Sequence, residues 1–153
     1  MQGNNSYNYI HILLNNQPKG TNNFEHMEKV EVTQMESIKT VEDALNVTGM
    51  PATPEFNEVP EELREYFKAV YEAVVITKAL VGNWKADWND WDQRKWFPWF
   101  DMQSAGGFVF FAASYDYSTA RAGDASRLCF PTEEMAEYAG KTFTDVYSRM
   151  ILK

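Results

Sequence analysis

Apolar positions recur at helical spacing through residues 60–81, where Leu63, Phe67, Val70, Val74 and Leu80 stand three, four or six apart until Gly82-Asn83. Pro60 suits a first helical turn, and Glu61 and Glu62 complement the helix dipole there. The spacing predicts a core helix over 60–81. A second amphipathic run extends from Glu133 to about Leu152, with Met135, Ala139, Phe143, Val146 and Met150 as its inner stripe. Gly140 inside it costs about 1 kcal/mol relative to Ala, which a close packing contact would explain. Between the two, the period changes to two. Lys95 to Met102 reads as a strand, with Pro98 pointing to an edge position or a bulge. Gln103 to Gly107 supplies a turn. Phe108 to Tyr117 then reads as a long aromatic strand, with Val109, Phe111, Ala113, Tyr115 and Tyr117 on one side and Phe108, Phe110 and Ala112 on the other. These two strands predict a hairpin, Ser118 to Ser126 a loop, and Arg127 to Phe130 a short third strand.

The expected fold is therefore a single α+β domain. A three-stranded antiparallel meander, residues 95–130, is covered on one face by the helices at 60–81 and 133–152, and the intervening tryptophan-rich segment closes one end. Upstream, the pattern is weaker. Val30 to Met35 alternates like a short strand. Thr40 can cap a brief helix that carries Glu42 and Asp43 in its first turn and stops at Gly49. Pro51, Pro54 and Pro60 make 50–60 an extended connector, with Phe56 as its anchor. The first 26 residues contain seven Asn and no net charge. They read as a flexible leader, residues 1–26, ahead of a domain over 27–153, with Met27 as an alternative start because the composition changes there.

Composition narrows the function classes. The chain has 153 residues, 44% of them apolar, one cysteine and a formal net charge of -8. At this size a core forms without bridges, and a single Cys129 excludes a disulfide framework. The negative charge opposes binding to duplex nucleic acid or anionic lipid. No apolar run approaches the roughly 20 residues of a membrane helix, and no secretory signal pattern is seen, so the expected location is intracellular.

Candidate chemistry centres on aromatic residues. All five tryptophans, Trp84, Trp88, Trp91, Trp96 and Trp99, lie within 16 residues, interleaved with Asp87, Asp90, Asp92, Arg94 and Lys95. Such a cluster either folds as a lid over the sheet with its acids in water, or leaves rings exposed as a platform for a protein or a sugar. Tyr115 and Tyr117, with Arg121 and Arg127, add the one basic and aromatic patch. Asp87 to Asp92 only superficially resembles a calcium loop: an EF-hand needs Gly at the sixth position, occupied by Asp92, and a bidentate Glu at the twelfth, occupied by Pro98. No metal or cofactor is expected. Both histidines, His11 and His26, lie in the leader, which leaves little for nucleophilic catalysis. Cys129, between Leu128 and Phe130, reads as a buried thiol, and Ser104 to Gly107 lacks the Lys of a phosphate loop. A carboxylate pair such as Asp101 and Asp116 across the hairpin could in principle do acid–base work.

Several blocks resemble a family of small uncharacterised proteins encoded by phages and prophages of gut Bacteroidales. They are Pro60 to Phe67, Trp84 to Trp88 with Asp92-Gln93 and Phe97 to Phe100, and Ser126 to Phe130 with Ala136 to Lys141 and Phe143. The resemblance implies phage origin and a compact single domain, and it carries no catalytic or binding residue across. Together these features suggest a non-enzymatic, acidic effector that binds a host protein through Trp84, Trp88, Trp91, Trp96, Trp99, Tyr115, Tyr117, Arg121 and Arg127. The alternatives are a capsid- or tail-associated virion protein that self-associates, a small hydrolase-like enzyme using surface carboxylates, and a sugar-binding module.

Overall fold

The computed structural model describes residues 35–104, 107–118 and 128–152. The leader and the loop carrying Arg121 and Arg127 lie outside these, as does the strand expected from Val30, whose last residue, Met35, opens a helical turn over 35–37. The helix α1, Val41–Thr48, begins as its sequence requires. Thr40 Oγ1 accepts the Asp43 N–H at 3.0 Å and the Asp43 carboxylate accepts the Thr40 N–H at 2.9 Å, a reciprocal cap. Hydrogen bonding to Thr40, then to the Lys39 N–H, holds the Asp43 carboxyl below the usual carboxylate range. Gly49 ends the helix at a left-handed φ of 65°.

The connector 50–60 runs along the next helix, α2, Glu61–Val81. Tyr71 Oη donates to the Pro51 carbonyl at 2.6 Å, Lys68 pairs with Glu55 at 2.7 Å, and the Phe56 ring packs 5.8 Å from that of Phe67. The buried side of α2 differs from the expected stripe. Leu63 and Phe67 are 41% and 37% exposed, whereas Ala69, Ala73 and Ile76 are fully buried. The physical reason is the close approach of neighbouring helices: alanines let backbones pack tightly where α2 meets its partners, and the bulkier residues of the first turns project past them.

The hairpin forms as expected from β1, Lys95–Ser104, and β2, Gly107–Asp116, in antiparallel register. Two features of the meander do not. Among the described residues the sheet has two strands, and the third segment contributes one bridge, Phe130 with Trp96, beside β1 rather than β2. Trp96 N–H donates to Phe130 O at 2.9 Å and Phe130 N–H to Trp96 O at 2.7 Å. A continuing antiparallel ladder would next pair Pro98 with Leu128, and Pro98 has no N–H to donate. Because Trp96 and Pro98 direct their backbone groups to the same side, that missing donor faces the edge and leaves the β1–β2 ladder intact.

The regular alternation expected for β2 is also interrupted. Trp99 pairs with Ala112 and Phe100 with Phe110, so Phe111 is an extra, unpaired residue, a β-bulge. Phe110 and Ala113 both pack on the core. The two residues between them, Phe111 and Ala112, therefore share the outer face opposite Trp99.

The expected final helix is two: α3, Glu133–Thr142, and α4, Thr144–Leu152. Thr144 Oγ1 captures the Gly140 carbonyl at 2.7 Å, a side-chain bond that bends helices, while Phe143 sinks into the core at 2% exposure. The break divides the labour. The helix α3 lies on both strands, whereas α4 packs mainly against α2, to which Arg149 is tied by a salt bridge with Glu72. The helix α2 packs chiefly on α1 and α4, so it does not cover the sheet as the sequence pattern suggests. Phe100 joins the layers, its ring 4.6 Å from Phe108 and 5.1 Å from Tyr147.

Gly140 marks the crossing of α3 over the hairpin. A Cβ there would meet Pro98 Cβ and Phe110 Cε2 at 2.7 Å. Gly140→Ala should therefore lower stability by about 1–3 kcal/mol despite the better helix propensity of Ala, read from urea midpoints at unchanged slope. A more stable variant would mean that helix and hairpin are not in tight contact. The Tyr147 hydroxyl is buried without a hydrogen-bond partner among the described residues, and burial pushes its pKa up. Tyr147→Phe removes that unsatisfied group and should raise stability by about 1 kcal/mol, seen as a higher thermal midpoint.

Candidate functional site

The five tryptophans do not form one platform. Trp84 and Trp88 are half-buried and line a cleft of ≈ 390 Å³ together with the last turns of α2 and Cys129. Trp96 is buried at 9% exposure, its ring 4.7 Å from Tyr115, which in turn meets Tyr117 edge-on at 5.4 Å. Because the backbone groups of Trp96 face Phe130, its pairing with Tyr115 is of the non-hydrogen-bonded kind, which brings side chains closest. Trp99 stands on the other face of the hairpin at 56% exposure, and Trp91 projects from the loop at 65%. Arg121 and Arg127 lie outside the described residues.

The loop that carries Trp84 to Trp91 is held by its polar residues, beyond the solubilising role that their charge suggests. Asp87 Oδ1 accepts the Asn89 N–H at 2.9 Å, and Asp90 Oδ1 accepts the N–H groups of Asp92 and Gln93 at 2.9 and 3.2 Å. These are Asx turns. Gln93 Oε1 accepts the Asp87 N–H at 2.7 Å. The buried Lys95 fastens the whole loop, its ammonium donating to the carbonyls of Asp90 and Gln93 at 2.9 and 2.8 Å and lying 5.4 Å from the centre of the Trp88 ring. Ser118 Oγ adds a bond to the same Asp90 carbonyl at 3.0 Å, joining the loop to the end of β2.

Two residues with defined roles here were not singled out by sequence reasoning. Lys95 looks like an ordinary charged strand terminus, although its position at the junction of loop and strand is where a long cation can reach back to loop carbonyls. Arg94 stacks its guanidinium 4.6 Å from the Tyr115 ring and 5.9 Å from Trp96. Its spacing of two from Trp96 is the signal that would have placed it beside that ring.

The outer face of the hairpin carries two of the three most exposed large hydrophobic side chains among the described residues. Phe111 is 69% exposed and Trp99 56%, both on this face, where the half-buried Phe97 and Val109 also belong by strand alternation. Met102, near the hairpin tip, is 49% exposed. Ile151 of α4 reaches the rim of a cleft of ≈ 380 Å³ that Phe97, Trp99, Met102 and Tyr115 also line. The carboxylates proposed for acid–base chemistry are not brought together. Asp101 pairs in register with Val109 and Asp116 with Lys95, six residues apart along β1, or roughly 20 Å at strand spacing. Burial pushes the Cys129 thiol up, away from the thiolate a nucleophile needs. No group of three or more potential metal ligands occurs among the described residues, and no helix among them is long and apolar enough to cross a membrane.

Lys95→Met keeps the buried stem and removes the ammonium that fastens the loop. Amide exchange at Asp87 to Gln93 should accelerate by about tenfold or more while the hairpin amides keep their protection, measured by hydrogen–deuterium exchange with mass spectrometry. Unchanged exchange would show that the Asx turns hold the loop unaided.

Compared with protein-family models, with curated proteins and with solved structures, the chain matches none.

Proposed function

We propose that this chain is a non-enzymatic protein-binding module whose contact surface is the outer face of the hairpin. The observation that carries the reading is the pair of large exposed rings on that face, Trp99 of β1 and Phe111 at the bulge of β2. Trp and Phe exposed side by side on a rigid sheet bury area with little loss of rotamer freedom, the property of binding hot spots. The net charge of -8 steers encounter toward a basic partner surface. The phage and prophage resemblance suggests a host protein as that partner and the host cytoplasm as the place. The separation of Asp101 from Asp116 and the raised Cys129 thiol both weigh against the enzyme alternative.

A virion component that self-associates is the second reading. It is favoured by separate exposed apolar residues at the start of α2, Leu63, Tyr66 and Phe67, where the Phe67 ring also meets those of Tyr66 and the half-buried Phe56. Two unlike patches on one chain permit head-to-tail assembly.

The test is capture of partner from host lysate by wild type and by the Trp99→Ser/Phe111→Ser double variant, at low and high salt. Both positions are solvent-exposed, so the variant should fold. Wild-type capture should fade as salt screens the charge, and the variant should bind about tenfold or more weakly. Equal capture by the variant overturns the hairpin face as the contact surface. Mass that grows with concentration in light scattering, and no captured partner, would favour self-assembly instead.

A further inference from the structure

The cleft between the end of α2 and the tryptophan loop serves no purpose in the reading above, and its walls have a distinct chemistry. Trp84 and Trp88 supply two half-buried indoles, and Val74, Val81 and Ala86 supply apolar surface. Its polar side chains are Lys78, Lys85 and Thr77. The Thr77 hydroxyl already donates to the Ala73 carbonyl at 2.8 Å. Lys78 and Lys85 make no ion pair among the described residues, unlike Lys68, Lys141 and Arg149. A third cation, Lys95, is buried behind Trp88 and held by two carbonyls.

On a chain with 22 acidic and 14 basic residues, two lysines on one cleft wall reverse the average charge locally. Lys78 also sits in the last turn of α2, where its charge complements the helix dipole, but Lys85 has no such role. The Asp87 carboxylate, between Lys85 and Trp88 in sequence, accepts the Asn89 N–H and is absent from the cleft wall. Cys129 completes the wall as a thiol, its pKa raised by burial, so it adds no negative charge at neutral pH. The result is a cleft of ≈ 390 Å³ with two indoles and two lysines in its wall, within the size range of small-molecule sites.

We infer that this cleft binds a small planar aromatic anion, with its ring against Trp84 and Trp88 and its carboxylate between Lys78 and Lys85. The ring gains stacking and dispersion from the indoles, and the carboxylate is selected by the local reversal of the chain's negative field. The site lies on different residues from the hairpin face, so either can fail without the other.

The experiment titrates the full-length chain with 2-naphthoate and, as a neutral isostere, 2-naphthamide, by calorimetry and by the rate of Cys129 alkylation with iodoacetamide. Naphthoate should bind about fivefold or more tightly than naphthamide and slow alkylation of Cys129. In Lys78→Gln/Lys85→Gln, two exposed positions whose change leaves the core intact, the preference for the acid should disappear while naphthamide binding persists. Trp88→Leu should weaken both ligands by about tenfold. Equal affinity for acid and amide, a preference that survives loss of both lysines, or no binding of naphthoate up to millimolar concentration would each overturn the inference.

Discussion

The crossing of α3 over the hairpin at Gly140 is the contact on which the arrangement of the domain depends. With Pro98 and the Phe110 ring pressed against the place where a side chain would begin, the helix comes close enough for Ala136 and Ala139 to be fully buried. That distance sets how far the rings of Phe100 and Phe108 must reach to fill the layer between helix and sheet, and they fill it by stacking. Larger residues at the crossing would lift α3 and open the aromatic layer beneath it. The same contact determines which face of the hairpin is covered, and so which is left for a partner.

Two local irregularities then shape the surfaces. The Thr144 hydroxyl takes a helical carbonyl and lets Phe143 enter the core, so the chain bends away from the sheet and α4 closes on α2. The unpaired Phe111 shifts the alternation of β2 by one residue, so that Phe108, Phe110 and Ala113 all face the core while Phe111 and Ala112 both face outward. Each is one residue long, and each redirects an entire element. Bulges and helix bends have this leverage because a strand reverses its faces with every residue and a helix turns by about 100°.

The tryptophan segment shows how one sequence cluster becomes several structural roles. Trp96 is committed to the core by its bridge to Phe130, Trp84 and Trp88 to a cleft, and Trp99 to the outer sheet face. Proximity in sequence over 16 residues could not separate these, because the segment passes from helix end through a loop into a strand and its side chains follow three different geometries. The loop is made rigid by the side chains of Asp87, Asp90, Gln93 and Lys95, whose bonds go to backbone groups rather than to one another's side chains.

Local pattern alone determined the helices α1 and α2, the hairpin, the cap at Thr40, the stop at Gly49 and the need for a close contact at Gly140. These are written in nearest-neighbour terms: a capping hydroxyl, a left-handed glycine, a period of two or of 3.6, a glycine where a helix would prefer Ala. Tertiary structure decided that Ala69 and Ala73 rather than Leu63 and Phe67 would be buried, that the third segment would meet β1 through a single bridge, and that Asp101 and Asp116 would stand at opposite ends of the hairpin. Those outcomes depend on register and on which surfaces far apart in the chain come together. A side chain's periodicity says which neighbours share its face, but only the packing partner says whether that face is covered.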